Sequence, residues 1–363
     1  MYIKKLKLTN FRNYEKAELE FSPLTNIIYG NNAQGKTNIL ESVYLFAQGK
    51  SHRAKTDKEL VRFGSDFAGL EIEFCDSRRE HNGKMQILKN GRKAVRINHV
   101  SISKLSQLMN YLNVVMFSPE DLNMVKGSPN IRRRFTDSAI SQLYPAYLSA
   151  LMEYNKVLDQ KNSLLRTNRR SINDVKKTLW IWNEQLAELA VKIMNARIDF
   201  SEKIADSANS IQNDISVEVL DIRYVPNIKV GELTKDAVYD YLNDRADREI
   251  DAVSSLYGIQ RDDLEIGVEG RDAKLYASQG QQRTAALSMK IAQSEYINDI
   301  KGEYPILLLD DIMSELDISR RMYLSERIRD KQVLITSTDT DLAGKDTKTR
   351  QFRIEKGTVT DVS

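Results

Sequence analysis

The chain has 363 residues, 41% hydrophobic and 29% charged, which is room for two or three domains of roughly 150 residues and excludes a disordered or fibrous protein. Its 54 basic and 51 acidic residues leave a net charge of +3, which excludes a histone-like polycation but not a local basic patch. One cysteine (Cys75) excludes an internal disulfide, and with only three histidines (His52, His81, His99) the chain points away from a dedicated transition-metal centre. No apolar leader opens the chain and no run approaches a membrane span, so a cytoplasmic, non-membrane protein is expected.

Taken in order, Tyr2–Thr9 and Ala17–Phe21 read as short strands around a polar turn at Asn13. Asn26–Tyr29 is an apolar strand that stops at Gly30. Lys36–Gln48 then carries apolar residues at 39, 40, 43, 44 and 47, the spacing of a helix with one buried face. Leu70, Ile72 and Phe74 alternate with Glu71, Glu73 and Cys75, as in a half-buried strand. Asn82-Gly83 and Asn90-Gly91 both predict tight type I′ hairpin turns, giving an antiparallel meander. Val114–Phe117 is another buried strand. Ser128-Pro129 predicts a helix start, and no glycine interrupts the following residues as far as Asp214. Two or three helices are expected there, the longest from about Val175 to beyond Ala205, roughly 45–50 Å at 1.5 Å per residue. A strand at 215–225, a helix at Lys235–Ala252 and a strand pair at Leu264–Ala277 follow. The chain closes with a helix (Gln282–Ile300), two buried strands (Pro305–Leu309, Val333–Ser337) and a hairpin over Thr347–Val362.

Three motifs carry chemistry. Gly30-Asn31-Asn32-Ala33-Gln34-Gly35-Lys36-Thr37 matches the phosphate-binding P-loop, with the strand before it and the helix after it that the motif requires. The glycines let successive N–H groups turn inward, Lys36 supplies a positive charge for the β- and γ-phosphates of ATP, and Thr37 offers a hydroxyl to Mg²⁺. Ile306–Leu309 followed by Asp310-Asp311 has the Walker B form: Asp310 for the metal, Asp311 to polarise a water. Ala277-Ser278-Gln279-Gly280-Gln281 resembles the S-x-G-Q signature of ABC-type ATPases, with Ser278 as a helix cap and Gly280 allowing close backbone approach. In that class the signature meets the γ-phosphate held by a second subunit, and Ser314-Glu315-Leu316-Asp317 matches the D-loop along the same interface.

With these motifs, several shorter strings occur in one order: Leu8-Thr9-Asn10-Phe11-Arg12-Asn13-Tyr14, Lys50-Ser51-His52-Arg53, Phe117-Ser118-Pro119-Glu120-Asp121, Arg132-Arg133-Arg134-Phe135 after Gly127-Ser128-Pro129, and Arg261-Asp262-Asp263. Together they resemble the RecF family of bacterial recombination-repair ATPases, relatives of the structural-maintenance-of-chromosomes proteins, over residues 1 to about 340. The resemblance implies that Arg12, Asn13 and Arg53 approach the nucleotide. It also implies an ATP-dependent homodimer that clamps duplex DNA next to single-stranded gaps, slow DNA-dependent ATP hydrolysis, work with RecR and RecO in loading recombinase, and a part in the SOS response. The chain departs from the wider pattern at three places: Glu120 or Asp121 must serve where ABC enzymes have the Q-loop glutamine, Thr338 stands in place of the switch histidine, and Gln260 stands in place of a histidine usual in this family.

For DNA, Lys161, Arg166, Arg169 and Arg170 form a basic helix junction suited to phosphates, and Arg132 is a further candidate, although pairing with carboxylates competes for it. Two other functions share the motifs. A transporter's nucleotide-binding subunit needs the glutamine, a Glu after Asp310 and the switch histidine, none of which is present. A chromosome-organising protein needs coiled-coil arms far longer than this helical insert. The fold expected is α/β: an ABC-type P-loop head with a mixed sheet and an N-terminal antiparallel β subdomain, formed by 1–125 and 300–363. A mostly helical lobe at 126–299 carries the signature, with no long coiled coil.

Overall fold

Strand Thr25–Tyr29 is apolar at Ile27 and Ile28 and buried on both faces, as a strand in the middle of a parallel sheet must be. In the computed structural model, which describes residues 1–167, 172–338 and 349–361, it lies inside a six-stranded mixed sheet. The order is Thr358–Asp361, Arg350–Glu355, Thr25–Tyr29, Val333–Ser337, Ile306–Asp310, Val114–Phe117; only the Thr358–Asp361 pairing is antiparallel. A second, wholly antiparallel six-stranded sheet runs Tyr14–Glu20, Tyr2–Phe11, Phe67–Cys75, Glu80–Leu88, Lys93–Ile97, Val100–Ile102. Helix Lys36–Gln48 spans the predicted residues, and its Ile39, Val43 and Phe46 join Leu6, Ile72 and Ile87 of the antiparallel sheet and Ile28, Leu308 and Leu334 of the parallel one in a single buried cluster. Each such side chain contributes on the order of 1.5–3 kcal/mol. The observed folds and pairings are those of the expected α/β head with its antiparallel subdomain.

Two turns differ from expectation. Asn82 and Gly83 lie inside strand Glu80–Leu88, and the chain reverses at Asp76–Arg79 instead. Gly83 is needed for space, not for positive φ: a Cβ there would lie 2.2 Å from Cζ of Phe46. The Asn90-Gly91 turn is present, but only Gly91 has positive φ (83°), so it is not type I′.

The chain divides into two compact units: Met1–Asp121, Asp214–Ser216 and Ala286–Ser363 form one, Leu122–Asn213 and Val217–Ala285 the other. The second division falls inside helix Gln279–Lys301 rather than near residue 300. The later turns of that helix bind residues of the first unit, Lys290 to Asp121 and Lys301 to Asn110.

The second unit holds helices Pro129–Leu143, Pro145–Thr167 and, as far as Asn213, Ile172–Ser216. The last has 45 residues, about 67 Å at 1.5 Å each, and is longer than expected because its apolar stripe continues through Ala208 and Ile211. A three-stranded antiparallel sheet, Arg271–Asp272, Asp263–Val268, Leu220–Val225, packs with them. Residues 273–276, expected to be strand, are a helical turn started by Asp272, whose carboxylate accepts from the N–H groups of Lys274 and Leu275. Among the described residues no helix is long and apolar enough to cross a membrane.

Candidate nucleotide-binding site

The loop Gly30–Thr37 leaves strand Thr25–Tyr29 at its C-terminal end and runs into helix Lys36–Gln48. Gly30 has φ 145°, and a Cβ on it would lie 2.4 Å from the Ile354 carbonyl oxygen of the C-terminal hairpin, so no other residue fits. Asn13 clamps the loop from the other side. Its Nδ2 donates to the Gln34 carbonyl (2.8 Å) and its Oδ1 accepts from Asn38 Nδ2 (2.8 Å). The buried Tyr14 hydroxyl donates to the Gly35 carbonyl at 3.0 Å, and Gln34 Oε1 accepts from Lys356 N–H at 2.6 Å.

Lys36 is nearly buried, and both hydrogen-bond partners of its ammonium are neutral carbonyls, Gly30 at 2.5 Å and Asn31 at 3.1 Å. Burial pushes it below the ordinary lysine value, against the pull of Asp311 and Asp310. Thr37 Oγ1 donates to Asp310 Oδ1 at 2.8 Å, and the same oxygen accepts from Thr336 Oγ1 at 2.8 Å. The two motifs, 273 residues apart in sequence, therefore meet. Asp311 has left-handed backbone (φ 53°), is held by its N–H to Thr336 Oγ1, and accepts from Ser314 Oγ at 3.1 Å.

Arg12 is engaged elsewhere: Nε and Nη2 donate to both oxygens of the fully buried Glu41 (2.9 and 2.6 Å), and Nη1 to the Glu59 carbonyl. These bonds fix its guanidinium beside Glu41 of helix Lys36–Gln48. Arg53 is exposed, with Nη1 at 3.4 Å from Asn38 Oδ1. Asp121 is used locally, accepting from Ser118 N–H and facing Lys290 at 3.7 Å, whereas Glu120 is exposed. Thr338 is exposed just beyond strand Val333–Ser337. Sequence reasoning missed Glu41, Thr336 and the C-terminal hairpin as parts of this site. It also passed over His52, whose Nδ1 is buried without a hydrogen-bond partner and which burial pushes below the ordinary histidine value, against Glu41 and Asp310.

In the second unit, Ser278 starts helix Gln279–Lys301 with a reciprocal box: its Oγ accepts from Gln281 N–H (3.2 Å) and its N–H donates to Gln281 Oε1 (2.7 Å). Ser278 is exposed, and beside it Leu275 and Tyr276 are each 69% exposed. Gln260 accepts from Tyr154 Oη (2.8 Å) and donates to the Tyr257 carbonyl (3.0 Å).

Two DNA candidates are corrected. Arg132 is buried and makes a fork to Asp263, Nε–Oδ1 and Nη2–Oδ2 both at 2.7 Å. Lys161 is wholly buried, 2.6 Å from the equally buried Glu249. Its helix buries Tyr154, Val157, Leu158 and Leu165, and Lys161 lies on that same stripe. Arg133 donates to the Asp262 carbonyl, Arg134 and Arg166 are exposed, and Arg169 and Arg170 lie outside the described residues.

The class of protein follows from comparison with known ones. The RecF/RecN/SMC N-terminal domain family matches residues 2–360. Heads of Smc proteins, one bound to the C-terminal winged-helix domain of ScpA, share the fold at a TM-score of 0.58 and 16% identity, over 100% of this chain and 97% of theirs. Nearer are the DNA replication and repair proteins RecF of Staphylococcus carnosus, 44% identical over 94% of both chains, and of Staphylococcus haemolyticus, 44% identical over the same shares. A solved structure of the recombination mediator protein RecF with ATP, from the RecFOR pathway, superposes at a TM-score of 0.91 with 33% identity, covering 100% of this chain and 98% of that one. The chain belongs to the RecF family.

Proposed function

We propose that this protein is an ATP-binding, slowly ATP-hydrolysing DNA-repair protein that closes into a head-to-tail homodimer on DNA, next to single-stranded gaps, in a pathway shared with RecO and RecR. The observation that carries the reading is the buried Lys36, whose ammonium is offered only the neutral carbonyls of Gly30 and Asn31 for hydrogen bonds. Such a cradle is incomplete without an anion. The hard oxygen pair of Thr37 and Asp310 fits a Mg²⁺ ion. When bound, ATP with Mg²⁺ supplies the phosphoanhydride whose cleavage resets the dimer.

The chain's own residues then have distinct tasks. Asn13, Tyr14 and Gln34 fix the loop, and Gly30, Asn31, Asn32, Ala33, Gln34 and Gly35 surround the phosphates with Lys36. Arg53 reaches from the exposed side. Asp311, strained and aligned by Thr336 and Ser314, accepts a water proton. Glu120, left exposed while Asp121 faces Lys290, serves where the Q-loop glutamine is absent. Ser278 and Gly280 close the partner's loop, and exposed Leu275 and Tyr276 support a dimer face there. Arg166 remains a DNA phosphate contact; Arg169 and Arg170 are proposed with it from sequence alone.

Small-angle scattering of the purified protein with and without ATP and Mg²⁺ tests this directly. The scattering mass is expected to double with ATP in the Asp311→Asn variant. A mass that stays monomeric in both the wild type and that variant overturns the dimer. DNA affinity in the ATP state is expected to fall steeply with salt as counterions are released.

A further inference from the structure

A polar cavity of about 610 Å³ lies in the first unit, lined by no residue of the P-loop. Its walls include Asn113, just before strand Val114–Phe117, and Glu303, just before strand Ile306–Asp310. The P-loop and Asp310 lie at the opposite ends of these parallel strands, about 16 Å away at 3.3 Å per residue over five residues. The cavity is thus separate from the nucleotide site.

Its acids are already occupied. Asp76 accepts from the N–H groups of Arg78 and Arg79 (both 2.8 Å) and from the buried His81 ring at 2.9 Å. Glu303 accepts from Ser77 N–H and pairs with the α-amino group of Met1, both at 3.0 Å. The cations are not matched in the same way. The Asp76 turn fixes the backbone of Arg78 and Arg79 and leaves both guanidinium groups exposed at the mouth, while Lys301, half-buried in the wall, has its ammonium on the neutral Asn110 Oδ1 at 2.6 Å. Burial pushes Lys301 below its ordinary value, against the pull of Glu303, and the charge of Arg78 adds a smaller push in the same direction as burial.

We infer that this cavity binds a phosphate group, gripped by Arg78, Arg79 and Lys301. Guanidinium forks and an ammonium converging on a rigid turn are the chemistry that recognises phosphate oxygens. The size admits a phosphate with an attached sugar or base, so the phosphate comes either from a free nucleotide-like molecule or from the 5′ end of a nucleic-acid strand.

The test uses the full chain with Lys36→Ala, which silences the P-loop. Calorimetry at low salt is expected to show inorganic pyrophosphate binding, weakened at least tenfold by Arg78→Ala with Arg79→Ala. Both residues are exposed, so that protein should fold; Lys301→Met provides an independent variant with the same expected loss. A 5′-phosphorylated oligonucleotide binding more tightly than its 5′-hydroxyl twin, with the difference erased by the double variant, assigns the site to strand ends. Equal binding of the twins beside retained pyrophosphate binding assigns it to small phosphates. No pyrophosphate binding, or binding indifferent to all three substitutions, overturns the inference. ATP binding by protein with Lys36 intact should not change in the Arg78/Arg79 variant, so failure here is distinguishable from failure of the nucleotide reading.

Discussion

Lys36 and Lys161 are both buried, and burial pushes both below the ordinary lysine value. Their surroundings differ in kind. Lys161 meets the Glu249 carboxylate at 2.6 Å, while Glu249 Oε1 also takes the N–H groups of Leu256 and Tyr257. Lys36 meets only carbonyls of a loop whose backbone is pinned from outside. A buried cation bonded directly to a carboxylate of its own chain is a strut; one whose hydrogen bonds go only to carbonyls, while Asp311 and Asp310 pull on it, is a receptor waiting for an anion. Burial alone does not separate them, and the partner atom does.

The contrast can be broken most sharply at Lys161. Lys161→Met leaves Glu249 uncompensated, so the second unit should lose roughly 3–5 kcal/mol. Trp180 and Trp182 both lie on helix Ile172–Ser216 of that unit, so urea unfolding followed by tryptophan fluorescence reads the loss. An unchanged midpoint would mean the pair is not a strut. Lys36→Ala should do the reverse: the tryptophan transition stays put, and nucleotide affinity by titration calorimetry drops at least 100-fold, about 2.7 kcal/mol. Asn13→Ala, which frees the Gln34 carbonyl without touching charge, should cost nearer tenfold.

The smallest effect is in pH. Because Lys36 sits lower in the folded protein than in the unfolded chain, the unfolded state holds more protons between those two values. Stability therefore rises with pH across that window, up to about 10.4. In the nucleotide-free protein, Lys36→Met should flatten that rise; a curve parallel to wild type would show that burial does not tax Lys36.

The sequence was readable where chemistry is contiguous. The P-loop with its helix and the strand Ile306–Asp310 are each read from one unbroken stretch of chain, and the helix bounds Lys36–Gln48 follow from apolar spacing alone. It was opaque where distant segments meet. Nothing local says that Arg12 will face Glu41, that Thr336 will steady Asp310, or that Gly83 is small because Phe46 needs its space. Lys161 lies between these cases: its spacing from Val157, Leu158 and Leu165 is in the sequence, but the Glu249 that neutralises it comes from a distant segment.

The contacts of the C-terminal hairpin with the P-loop also bear on synthesis. Gly30 rests on the Ile354 carbonyl and Gln34 holds Lys356, so the cradle borrows its last wall from residues made more than 300 positions later. A ribosome adding 5–20 residues per second leaves the loop without that wall for some tens of seconds. A nascent chain cannot grip nucleotide as the finished protein does. Stalled or truncated products, lacking residues 354–357, would be poor competitors for it.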